Sequence, residues 1–383
     1  MKEIRNILQE IEKEHAMGRQ MVLATVVHVE GSAYRRPGAR MLISETGELT
    51  GAISGGCLEG EALEKALLVM ANRQSRVVTF DTMEEDALGA ALGCNGIIKV
   101  LLEPLHPDAS PDIAGILRTA ITGRQKCAVA TLFSAERKRD MQPGTCLLLD
   151  PSGYFTGNTH QPLLEIALKE DMSEAMNTGR SCFRHYRMGD RSMTAFIEFM
   201  APPVSLVVVG AGNDAMPLVA LADTLGWEVR VVDGRPGHAR QERFVSACQV
   251  LVSKPEEALE HLPVDEYTVF VLMTHNYHYD KAMMKALMDK PVPYIGMLGP
   301  AGKIQRMMAE LKQEGLEVSG PRLDRIFTPA GLDMGAETPE EIALSIISEI
   351  KSVLSGRKGG SLRLSKEPIH PRSDSVIIEK ILF

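Results

Sequence analysis

Aromatic side chains make up only 5% of the 383 residues, and none interleaves with a basic run. A stacking platform for single-stranded nucleic acid is therefore excluded. The formal net charge of −8 also argues against a general nucleic-acid binder, while leaving room for a local basic pocket. No uninterrupted apolar run approaches membrane length, so no membrane association is expected. The opening MKEIRNILQEIEKEHAMG is amphipathic and charged, unlike a signal or transit peptide. Six cysteines occur without a C-x-x-C pair, which excludes a disulfide framework and fits a reducing cytoplasm. Iron–sulfur spacings are missing too, and no histidine pair completes a structural zinc site. What remains is ordinary for a soluble globular protein, at 44% hydrophobic and 24% charged residues. The length allows two or three domains with a substantial core.

Glycine is dense between residues 31 and 61, GSAYRRPGARMLISETGELTGAISGGCLEGE. Glycines free the backbone for positive φ and let a ligand come close. Arg35, Arg36 and Arg40 lie within six residues and offer forked donors for a phosphate. Ser54, Gly55, Gly56 and Cys57 then precede a helix expected to begin near Leu58–Glu59. A thiol at a helix start feels the positive end of the dipole, which favours thiolate. Cys94, in Gly93-Cys94-Asn95-Gly96, is a second cysteine beside glycine. Cys127, Cys146, Cys182 and Cys248 lie in or beside apolar strands and read as small buried hydrophobes.

Taken in order, helical spacing marks residues 4–17 and β-branched residues mark a strand over 21–29. A helix over 59–72 and strands over 76–80 and 97–102 close a first unit, residues 1–105. Residues 106–203 read as a degenerate second copy. Gly18-Arg19-Gln20 recurs as Gly123-Arg124-Gln125, 105 residues on, and Pro37-Gly38, Gly47 and Gly51 recur as Pro143-Gly144, Gly153 and Gly157, 106 residues on. The second copy has lost both cysteine loops, so whatever the cysteines do belongs to the first.

After Pro202-Pro203 strands and helices alternate, as in parallel sheets. Helices are expected over 214–225, 238–246, 256–261, 279–288 and 303–313, with a capped helix over 339–354 starting at Thr338. Gly210, Gly212 and Asn213 sit in a G-x-G-x-x-A turn between strand and helix, the dinucleotide fingerprint. Asp233 ends the second strand, where a carboxylate meets a ribose, and Arg235 beside it suits a phosphate. His275 follows the fourth strand, at the carboxyl ends where such sheets receive ligands. This domain is expected over 204–355, followed by a tail over 356–383 whose closing VIIEKILF docks as an edge strand. The fold class is thus an N-terminal α+β domain of two degenerate repeats, then a Rossmann-like doubly wound parallel sheet.

GSAYRRPGARML, SGGCLE and LGCNG resemble the XdhC/CoxI family of molybdenum-hydroxylase maturation factors. VVVGAGN, VVDGRP, YIGMLG and GLDMGAETPEEIALSI are similar to that family's Rossmann-like domain. The resemblance implies a non-catalytic accessory factor that binds molybdenum cofactor, as molybdopterin or a nucleotide form. Such a factor supports sulfuration of the cofactor and hands it to an apo xanthine dehydrogenase-type enzyme. A cysteine desulfurase as second partner and a homodimer are also implied. Cys57 and Cys94 would be soft ligands to the metal, and the arginines, residues 54–57, Gly210, Gly212, Asn213, Asp233, Arg235 and His275 would bind the cofactor. The alternative is an NAD(P)-dependent oxidoreductase or a nucleotide-binding redox regulator.

Overall fold

The computed structural model describes residues 1–31, 34–81, 96–106, 112–134, 142–159, 161–316, 320–364 and 377–382. The chain divides into two compact units, Met1–Pro202 with Glu367–Phe383, and Pro203–Lys366. In the first, α1 (Lys2–Ala16) precedes β1 (Met21–Gly31), β2 (Arg40–Ser44), β3 (Leu49–Gly51), α2 (Glu59–Asn72), β4 (Arg76–Asp81) and β5 (Gly96–Leu105). The plan then repeats as α3 (Ile113–Thr122), β6 (Cys127–Phe133), β7 (Gly144–Leu149), β8 (Phe155–Gly157), α4 (Pro162–Thr178), β9 (Cys182–Met188) and β10 (Arg191–Met200). The sheets run β3-β2-β1-β5-β4 and β8-β7-β6-β10-β9, the same order at equivalent strands.

Strand alternation decides what each face covers. Val22, Ala24 and Val26 of β1 pack with Ala62, Ala66 and Val69 of α2. Their counterparts Ala128, Ala130 and Leu132 pack with Leu168, Met172 and Ala175 of α4. The opposite faces join the copies. Met21 and Leu23 share a core with Cys127, Val129, α1 and α3, and Val27, Val77 and Leu101 meet Phe133, Phe183 and Phe196. Two carboxylates cross reciprocally. Glu198 on β10 accepts from Arg40 Nη2 at 2.6 Å, while Glu103 on β5 accepts from the Thr145 amide at 2.6 Å and its hydroxyl at 3.0 Å. The first unit is therefore an intramolecular pseudo-dimer.

The second unit contains β11 (Ser205–Val209), α5 (Ala215–Thr224), β12 (Glu228–Asp233), β13 (Gln249–Val252), α6 (Pro255–Ala258), β14 (Thr268–Leu272), α7 (Tyr277–Leu287), β15 (Tyr294–Met297), α8 (Ala301–Gln313), α9 (Pro321–Asp324), β16 (Ile326–Phe327) and α10 (Pro339–Leu354). Its sheet is parallel in the order β13-β12-β11-β14-β15-β16, with apolar clusters on both faces. The helix expected over 238–246 is reduced to a single tight turn, Gln241–Arg243. Gln241 there donates to the Phe244 and Ala247 carbonyls, and Arg243 turns away toward the glycine loop. The last strand, β17 (Ile377–Ile381), returns to the first unit and adds in parallel to β9.

Candidate functional site

Residues 54–58 form a compact bend whose hub is Ser54. Its Oγ accepts from the Gly56 amide at 3.2 Å, the Leu58 amide at 3.2 Å and the Cys57 thiol at 3.5 Å, and donates to Glu59. Glu59 in turn accepts from the Ser54 amide at 3.0 Å and the Leu58 amide at 3.0 Å. Burial alone would push the Glu59 carboxyl up, but hydrogen bonds from the Ser54 hydroxyl and neighbouring amides outweigh it and hold it below the ordinary value. Ser54 is buried, Cys57 half-buried, and Gly55 and Gly56 exposed. The exposed Tyr34 ring lies over Gly55, where an added Cβ would stand 3.3 Å from Cδ2. Gly56 has φ of +107° and open space around its Cα.

The second copy supplies an internal control. Thr159, at the place of Ser54, accepts from the Gln161 amide at 3.2 Å, and Glu165, at the place of Glu59, accepts from the Thr159 amide at 2.9 Å. The hydroxyl–glutamate anchor therefore belongs to the architecture of both copies. Peculiar to the first copy are two exposed glycines and a reachable thiol. Cys127 and Cys146 contrast with Cys57, since burial pushes the Cys127 thiol up to about 12 and raises that of Cys146 further. Cys248, expected to be buried, is exposed. Cys94 lies outside the described residues.

The three arginines are not gathered on one ligand-facing surface. Arg40 is fully buried and held by Glu198 and the Gly38 carbonyl, because β2 points it at the other copy. Arg35 Nη2 is 2.6 Å from both carboxylate oxygens of Glu3 on α1. Arg36 is exposed.

In the second unit the turn after β11 is engaged by its own surroundings. Gly210 has φ of +123°, and a Cβ there would lie 2.5 Å from the Met273 carbonyl oxygen, so the loops after β11 and β14 abut. Gly212 makes room for Asp214, whose Oδ1 would lie 2.2 Å from an added Cβ. That carboxylate stands at the start of α5, where the fingerprint predicts a phosphate, and its Oδ2 lies 2.9 Å from His275 Nε2. His275 adopts φ of +57°. Asp233 is buried and accepts from the Ala211 amide at 2.7 Å, the Arg235 amide at 2.9 Å, and Arg235 Nε and Nη2 at 2.9 and 2.7 Å. Burial would raise its carboxyl, but these donors hold it below the usual carboxylate value. Arg243 straps the turn by donating to the Ala211 carbonyl at 2.7 Å and Asn213 Oδ1 at 2.8 Å. The fingerprint residues are thus brought together and satisfied by each other.

Two stretches match family models: residues 15–81 match the XdhC and CoxI family, and residues 206–350 match the XdhC Rossmann domain. A Bacillus subtilis protein described as a probable subunit of xanthine dehydrogenase is 30% identical over 333 residues, covering 86% of this chain and 92% of that protein. The chain belongs to the XdhC/CoxI family. Another relative, the Escherichia coli molybdenum cofactor insertion chaperone PaoD, is 23% identical over 336 residues, 88% of this chain and 84% of PaoD. A crystal structure described as a xanthine dehydrogenase from Bacillus halodurans superposes with a TM-score of 0.74 at 27% identity, covering 94% of this chain and 98% of that one. The Ser54–Cys57 loop of this XdhC/CoxI member lies inside the first matched stretch. Sequence reasoning missed Tyr34, Glu59, Asp214 and Arg243. Only Glu59 carried a local signal, as an acidic residue in the first turn of a helix.

Proposed function

We propose that this protein is an accessory chaperone that binds molybdenum cofactor at the cysteine loop of its first copy and delivers it to a xanthine dehydrogenase-type enzyme. The observation that carries the reading is the contrast between the copies. Both keep the hydroxyl–glutamate anchor, and only residues 55–57 of the first add an open backbone and a half-buried thiol. The donor set fits the cofactor: a soft thiolate suits a thiophilic metal or a dithiolene sulfur, and exposed Arg36, two residues after the Tyr34 that lies over Gly55, is of a type that suits a phosphate. Membership of the family and the role named for PaoD support the same reading.

When bound, the cofactor supplies a dithiolene-held molybdenum whose redox chemistry is exercised in the client. Cys57 would hold the metal end, the anchor would fix the loop, and the glycines would admit the bulky group without a side chain in its way. Sulfuration with a cysteine desulfurase, and assembly as a homodimer, belong to this proposal on the family resemblance. Light scattering on the purified protein tests the dimer.

The decisive experiment measures co-purified pterin and molybdenum in parent, Cys57→Ala and Cys127→Ala proteins from a cofactor-producing host. Cys57→Ala is expected to lose most of both while Cys127→Ala retains them. The loaded parent should restore activity to an apo hydroxylase, and Cys57→Ala should not. Equal pterin and metal in all three proteins would overturn the reading.

A further inference from the structure

Helix α1 packs an apolar stripe of Ile4, Ile7, Leu8 and Ile11 into the first unit, and the next buried residue on that face is Glu14. Its side chain is fully buried. One oxygen, Oε1, accepts from Arg19 Nη1 at 3.1 Å, while Oε2 is buried with no hydrogen-bond partner among the described residues. A buried acceptor left without a donor is unfavourable, and a charged one more so.

Two further carboxylates reach the same place. Glu10 stands one helical turn before Glu14, and Glu48 comes from the turn between β2 and β3. One carboxylate oxygen from each of the three lies within 4.8 Å of the others. Glu10 is half-buried and Glu48 exposed, so the group is closed at Glu14 and open to water at Glu48. Two cations stand beside it. Lys13 Nζ is 2.7 Å from Glu10 Oε1, and Arg19 holds Glu14. The hydrogen bond to Glu10, supported by the charges of Glu10, Glu48 and Glu14, keeps the Lys13 ammonium above its usual pKa. Lys13 is also half-exposed, free to swing into water if another cation takes its place.

The repeated plan does not require this group. In the second copy α3 (IAGILRTAIT) holds no acidic residue, and Tyr154 stands at the place of Glu48. Carboxylate oxygens without sulfur or imidazole select a hard cation. Calcium takes oxygens at about 2.3–2.6 Å, so two ligands can stand about 5 Å apart across it. Magnesium, at about 2.0–2.1 Å, would need them within about 4 Å. We propose that Glu10, Glu14 and Glu48 bind a divalent cation of calcium's size, with water completing its shell on the open side. The ion would replace Lys13 at Glu10, give the buried Glu14 carboxylate the partner it lacks, and pin α1 to the β2–β3 turn.

Equilibrium dialysis of chelator-stripped full-length protein against radiolabelled calcium tests this. The parent should take up one calcium per chain, half-saturating on the order of 1 mM because Lys13 and Arg19 already offset two of the charges. Glu48→Gln, a change at an exposed side chain, should weaken uptake about tenfold, and Glu14→Gln at least as much. Lys13→Met should tighten it. Glu12→Gln removes the same charge from the same helix at a residue that pairs instead with Arg118, and should change nothing. Circular dichroism checks the folding of each variant. Magnesium should bind more weakly than calcium. Absence of saturable uptake at about ten times the expected concentration would overturn the proposal. So would uptake that Glu48→Gln leaves unchanged, an equal loss in Glu12→Gln, or magnesium bound as tightly as calcium.

Discussion

At position 51 the backbone has φ of +89°, and an added Cβ would stand 2.5 Å from the Arg40 carbonyl oxygen; at the equivalent Gly157 the values are +105° and 1.8 Å. Gly56 has a similar φ of +107° but nothing near it. Replacement by alanine separates the two costs. Gly56→Ala should destabilise by about 1 kcal/mol, from backbone strain alone. Gly51→Ala and Gly157→Ala should exceed about 2 kcal/mol, because strain is joined by collision with a backbone that cannot yield. Urea denaturation midpoints with unchanged slopes would check this, and equal losses at all three positions would refute it. At Gly56 the space a side chain would take is open, and at Gly51 it is taken by the Arg40 carbonyl and Ile7.

Ser54 with Glu59 and Thr159 with Glu165 are one device used twice, a hydroxyl and a carboxylate that gather the amides before a helix. Removing the hydroxyl leaves donors without an acceptor, so Ser54→Ala and Thr159→Ala should each cost about 1 kcal/mol. Only Ser54→Ala should also lower pterin retention, since only that anchor holds a thiol loop. Equal retention in both variants would separate the anchor from the proposed site. Another cap was readable from the sequence. Thr338 accepts from the Glu341 amide at 3.4 Å, Glu341 accepts from the Thr338 amide at 3.0 Å, and α10 spans Pro339–Leu354 as expected. The Ser54 device was not, because glycines spread its hydroxyl and carboxylate over five residues instead of three.

The pseudo-dimer places Glu103 at its centre, fully buried, where loss of hydration pushes its carboxyl up to about 7 despite the Thr145 donors and nearby Arg40. In the unfolded chain a glutamate titrates near ~4.3. Between these values the folded state holds a proton that the unfolded state has released, so stability falls as pH rises from about 4.3 to about 7. Below that window the contribution is fully present, and above it the loss is complete. Glu103→Gln keeps an acceptor for the Thr145 amide and carries no charge. It should flatten the melting temperature across that window and raise it above pH 7 relative to the parent. A variant with the parental slope would place the titration elsewhere.

Local order was legible from residues a few positions apart. Helix caps, strand alternation, the repeated glycine turns and the parallel half all follow from short-range sterics and hydrophobic period, and so the duplication could be read from offsets alone. Arg40 shows where this stops. Three arginines in six residues read as a phosphate cluster, yet Arg40 meets a carboxylate 158 positions away, which no local pattern encodes. Asp233 and Gly212 matched a fingerprint by spacing, and Arg235 holds Asp233 from two residues away, but the Ala211 amide reaches Asp233 from 22 positions back and Asp214 meets His275 across 61 positions. The sequence alone determined most of the segments that become helices and strands, residues 238–246 excepted, and where the thiol loop lies. Tertiary structure alone decided which charges neutralise each other inside, because a buried charge must find a partner or, like that of Glu103, be lost to protonation, and packing sets which partners come within reach.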